Sequence, residues 1–146
     1  MAITSAICNS FKQEILEAEH NFTASTGNTF NLALYTSSAT LGAGTTAYTT
    51  TQEITNTSGT AYQPKGKALT SVTPTLDSST AVCDFADVSW TSASFTANGC
   101  LIFNDSHSTD AAVCAVAFGG DKTVSSGTFT IQFPTADASN AIIRIA

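Results

Sequence analysis

The segment Thr128–Phe133 alternates strictly, with Phe129, Ile131 and Phe133 apolar and Thr128, Thr130 and Gln132 polar. A two-residue period puts the apolar set on one face of an extended chain, whereas a helix would scatter it around the axis. The segment therefore reads as a strand, and the pattern recurs along the chain. Phe30, Leu32 and Leu34 alternate with Asn31, Ala33 and Tyr35, the mark of a half-buried strand. Ala68–Leu76 and Thr80–Phe85 flank the turn residues Asp77, Ser78 and Ser79, which predicts a hairpin with Ala81, Cys83 and Phe85 on one face. Val88–Trp90 and Ala93–Phe95 read as short edge pieces. The apolar runs Gly99–Phe103 and Ala111–Phe118 read as strands covered on both faces. Gly119 to Gly127 reads as a turn region, Tyr48–Ile54 as a Thr-rich strand, Pro134–Asn140 as a loop and Ala141–Ala146 as a closing strand.

One segment has a helical period. Ile7, Phe11, Ile15 and Leu16 fall on one face, and Lys12, Glu14, Glu17 and Glu19 on the other. Ser10 with Gln13 three residues later predicts a capping box, and the helix should fade near His20. Some eight short strands after a single helix exclude parallel crossovers. The fold class expected is all-β: an antiparallel β-sandwich, jelly-roll-like, with one N-terminal α-helix. The 146 residues fit one domain, divided into an N-terminal arm (1–8), a helix (9–20) and the sandwich (30–146).

Composition narrows the function. Charged residues are 11% of the chain, while Ser and Thr exceed a quarter of it. Thr suits a pleated surface, and a hydroxyl is buried at less cost than a charge. Such a skin can be covered by a neighbour, as in an assembly subunit, and composition alone fits equally an ordinary β domain with a Thr-rich solvent face. The net charge is −6, and Lys12, Lys65, Lys67, Lys122 and Arg144 form no stripe, so direct nucleic-acid binding is excluded. No segment is long enough and apolar enough to span a bilayer, and the first residues lack the basic start and apolar run of a signal peptide. Synthesis in a cytoplasm is expected.

Cys8, Cys83, Cys100 and Cys114 show no C-x-x-C spacing. The last three lie in apolar runs and read as buried thiols, with a Cys100–Cys114 bridge as the alternative. No nucleophile elbow, phosphate loop or zinc-protease motif occurs. Asp105, His107 and Asp110 could form a triad fragment or a cation site but read better as a solvated turn. Asp84 and Asp87 read as a strand corner rather than a glycosidase pair. Tyr62 with Gly66 and Lys67 reads as a turn anchor. No catalytic residue, metal or cofactor is called for, and the chain is not expected to be an enzyme.

Several strings resemble a family of small tailed-bacteriophage virion structural proteins. They are Asn9–Leu16 (NSFKQEIL) followed by His20–Phe22 (HNF), Leu32–Thr40 (LALYTSSAT), Thr46–Thr50 (TAYTT), Gly59–Tyr62 (GTAY) with Gly66 and Leu69, Asp84–Trp90 (DFADVSW), Gly127–Pro134 (GTFTIQFP) and Asn140–Ile145 (NAIIRI). They cover almost the whole chain from Asn9. Gln63, Pro64 and Lys65 depart from the small or Gly-rich turn usual after the tyrosine. The resemblance implies a virion component without catalytic residues. The function expected is a capsid decoration (cement) protein that stabilises the head lattice. The alternatives are a neck, tail or fibre-associated protein, or a carbohydrate-binding attachment module. Its partners would be the major capsid protein or other virion proteins and further copies of itself, with a trimer favoured. Contacts are expected from Ile3, Ile7, Phe11, Ile15, Tyr35, Tyr48, Tyr62 and Trp90.

Overall fold

The computed structural model describes residues 2–146. It is an antiparallel sandwich of two sheets with one short helix, as the alternating pattern predicts. The strands are β1 (Ala6–Ile7), β2 (Phe30–Tyr35), β3 (Lys67–Ala68), β4 (Ser71–Asp77), β5 (Thr80–Phe85), β6 (Val88–Asn104), β7 (Ala111–Ile131) and β8 (Ile143–Ile145), and the helix α1 is Asn9–Leu16. The larger sheet runs β1-β7-β6-β2-β3 and the smaller runs β4-β5-β8.

The dominant element is the β6–β7 hairpin, and here the structure corrects the sequence reading. The expected edge pieces at 88–90 and 93–95 are one 17-residue strand with 99–103, and the expected turn at 119–127 lies inside a 21-residue strand. Irregular pairing reconciles the two. The register shifts between Ala97 and Gly99, whose partners are Lys122 and Ala117, so the extra β7 residues bulge out. Gly119 and Gly120 take positive φ there (75° and 145°), which glycine tolerates without a Cβ clash. Hydroxyls then hold the outer half of the hairpin. Ser89 bonds Thr130 and Thr96 bonds Thr123, each at 2.8 Å, and the Ser126 amide donates to Ser94 Oγ at 2.8 Å. Part of the Ser/Thr excess thus serves as cross-strand pairs.

β2 is buried along its whole length rather than on one face. On one side lies the Thr36–Gly66 segment, whose Ile54 amide donates to the Leu34 carbonyl at 2.9 Å and whose Tyr48 ring stacks on Phe103. On the other lie Phe22, stacked on Phe30 at 4.2 Å between centroids, and Phe85 of the smaller sheet. The strand expected over Tyr48–Ile54 is not formed. That stretch makes no continuous ladder with the sheet: its β-pairing is limited to isolated bridges, Tyr35 with Glu53 and Ala47 with Ala111 just before it. The β4–β5 hairpin turns at Asp77–Thr80 as expected.

The helix is shorter than expected and differently capped. Cys8 is the N-cap with no side-chain bond to the helix, while Ser10 Oγ is buried without a partner among the described residues. The Cys8 amide donates to Val113 and the Asn9 amide to Ala43, so strand pairing sets where the helix begins. It stops at Leu16 because Ala18 turns left-handed (φ 62°) and His20 swings into the core. Phe11 is buried and Ile15 packs on the core, but Leu16, expected on the same face, is 88% exposed.

The segment ahead of the helix is docked on its own body. Ile3 pairs with Leu41 and is buried, β1 pairs with β7 at Ala115 and Cys114, and the Ala117 amide donates to Ser5 Oγ. Residues 2–8 are therefore not a free arm in this fold, and Met1 lies outside the described residues.

Candidate functional site

Polar side chains converge at two places inside the fold. The first is centred on Glu53, a nearly buried carboxylate in the middle of the Thr36–Gly66 segment. Its Oε1 accepts the Tyr62 hydroxyl at 2.7 Å and the Lys65 amide at 2.8 Å, and its Oε2 accepts the Tyr48 hydroxyl at 2.6 Å. Tyr62 in turn accepts the Leu34 amide at 2.9 Å, and Tyr35 donates to the Thr49 carbonyl at 2.8 Å. Burial pushes the Tyr48 hydroxyl up to about 12, with Glu53 adding to it. It pushes Tyr35 and Tyr62 well above their ordinary value, again with Glu53 contributing. All three therefore remain neutral over the physiological range. Three donors hold the carboxylate, so the arrangement fastens a long segment to the sheet.

Beside it, Lys65 Nζ lies 2.8 Å from Asp105 and 2.9 Å from Asp110, which raises the ammonium above its usual range. The two carboxylates weighed as a cation site are joined by this lysine, and they close the hairpin tip against the loop. The pair is partly exposed, so each bond contributes at most about 1 kcal/mol. Gly66 follows at φ 67°, where a Cβ would strike the Leu32 carbonyl, and Lys67 reaches the Ser89 carbonyl across the Trp90 ring. Tyr62, Gly66 and Lys67 are thus part of one turn anchor.

The second cluster ties α1 to the hairpin tip. His20 Nε2 is 2.7 Å from Glu14 and its Nδ1 is 3.1 Å from Asn104 Nδ2. Asn104 Nδ2 also faces the Glu19 carbonyl and Asn28 Oδ1, while its Oδ1 accepts the Ser106 amide. Those partners orient the amide, with its nitrogen toward His20, Glu19 and Asn28. His107 bonds Glu19 at 2.6 Å and Thr109 at 3.0 Å. Asp84 accepts the Phe85 amide and Asp87 the Phe133 amide, the work of a strand corner.

The four cysteines, far apart in sequence, are all buried and free. Burial pushes Cys8 up to about 11 and Cys83 and Cys100 to about 12. Cys114 is raised well above the usual range by burial, and its three neighbours Cys100, Cys8 and Cys83 add to the effect. Among the described residues no three His, Cys, Asp or Glu side chains converge as metal ligands, and no helix is long and apolar enough to cross a membrane.

The residues expected to make contacts serve mainly as core. Ile3, Phe11, Tyr35, Tyr62 and Trp90 are buried in their own chain, and Ile7, Ile15 and Tyr48 are partly buried against it. Trp90 packs on Tyr62, Phe95 and Phe129 and offers no exposed platform for a sugar ring. The uncovered apolar surface lies elsewhere. Among the described residues, Leu16, Val72, Leu76 and Ile145 are the exposed large hydrophobic side chains. An open groove of about 600 Å³ runs beneath β7, with Phe118, Phe129, Ile131, Phe133 and Ile142 on its walls and Leu32 and Ile102 at its floor.

Sequence reasoning missed Glu53, His20, Asn104 and this groove. Only Glu53 left a signal, as a lone carboxylate near three tyrosines. No family model, curated protein or solved structure matches the chain.

Proposed function

We propose that this chain is a structural subunit of a tailed-bacteriophage virion, a decoration protein that binds the head lattice and stabilises it without performing chemistry. The observation that carries the reading is where polar and apolar groups are used. The best-placed titratable side chains, Glu53, Lys65, Asp105, Asp110, Glu14 and His20, are bonded to one another or to backbone inside the fold. Exposed apolar side chains and a free groove lie instead on the outside, as in a subunit that awaits neighbours. The resemblance of several strings to those of small phage virion proteins supports this choice of particle. The partners in this reading are the major capsid protein and other copies of the chain, three at a lattice axis, and the place is the virion, assembled in a host cytoplasm.

Such a protein acts by linkage. It binds the assembled lattice and not its free parts, so it shifts the balance toward the assembled state, and many weakly held copies act together. The test is the copy number per purified particle, by quantitative mass spectrometry, with particle imaging to locate it. Hundreds of copies spread over the head are expected by analogy with any lattice-wide binder. A handful at one vertex would move the protein to the neck or tail, and its absence from particles would remove the reading.

A further inference from the structure

We draw no further inference here: the strongest candidate, the open apolar groove beneath β7 walled by Phe118, Phe129, Ile131 and Phe133, carries nothing, because nothing in the structure shows what covers it and Lys122, the cation on its wall, has Asp121 beside it in the chain.

Discussion

Tyr62 donates its hydroxyl to Glu53 across 2.7 Å, and the same oxygen accepts the Leu34 amide at 2.9 Å. One side chain therefore joins a carboxylate in the long Thr36–Gly66 segment to the backbone of the central strand β2. The segment contains no strand of its own, and a stretch of this length without regular structure stays ordered only when such contacts hold it.

Replacing Tyr62 by Phe keeps the ring against Trp90 and Phe95 but leaves the Leu34 amide without its partner and Glu53 Oε1 with the Lys65 amide alone. The expected loss is about 1–3 kcal/mol of unfolding free energy. Glu53→Ala strands three donors and should cost more, roughly 3 kcal/mol or above. Urea unfolding measures both, and a Tyr62→Phe protein as stable as the wild type would dismiss the anchor.

Gly66→Ala should destabilise more than an ordinary loop substitution. The residue sits at φ 67° and its Cβ would meet the Leu32 carbonyl. Left-handed strain alone costs about 1 kcal/mol or more, and the clash adds to it by displacing the turn that carries Lys65. A thermal midpoint unchanged from the wild type is the contrary result.

Neighbouring residues of α1 should behave oppositely. Phe11 is buried against His20 and Phe22, so Phe11→Ala should cost about 3–5 kcal/mol. Leu16 is 88% exposed, and Leu16→Ser should change stability by no more than about 0.5 kcal/mol. Denaturation midpoints for the two variants distinguish this register from the sequence-based one, in which both side chains face the core.

Removal of residues 1–8 should weaken the fold itself. Ile3 fills the space over Gly99, Cys8 is wholly buried, and β1 completes the edge of β7. Burial of Ile3 alone is worth about 1.5–3 kcal/mol. A truncated chain as stable as the intact one would show that these residues are a free arm after all.

Alkaline pH should destabilise the protein. The thiols of Cys8, Cys83 and Cys100 sit at about 11 to 12 in the folded chain, against an ordinary 9.0. Tyr48 sits at about 12 against 10.0. Above pH 9 the unfolded chain binds fewer protons than the folded one, so stability is intact below that pH and falls as pH rises toward 12. In native protein at neutral pH the same four thiols should be inert to a thiol reagent and should react only when the chain unfolds. Rapid labelling of a native thiol would contradict the burial.

Much of the fold was legible because it rests on local periodicity. The alternation of Phe129, Ile131 and Phe133, the turn at Asp77–Ser79 and the apolar run through Leu101, Ile102 and Phe103 each specify extended chain without reference to a partner. The helix was legible for the same reason, but its ends were not. Its start is set by the bond from the Cys8 amide to Val113, and its finish by a histidine drawn toward Asn104, both remote in sequence.

The sequence by itself determined that this chain builds an antiparallel sandwich, because side-chain alternation is a property of consecutive residues. Only the tertiary structure decided that Gly119–Gly127 continues a strand, that Tyr35, Tyr62 and Trp90 are core, and that Glu53 collects two tyrosines and a backbone amide. Each of these depends on what another part of the chain supplies: a paired strand opposite a glycine-rich stretch, a covering loop, or a donor within reach. Spacing along a single chain carries no record of such distances.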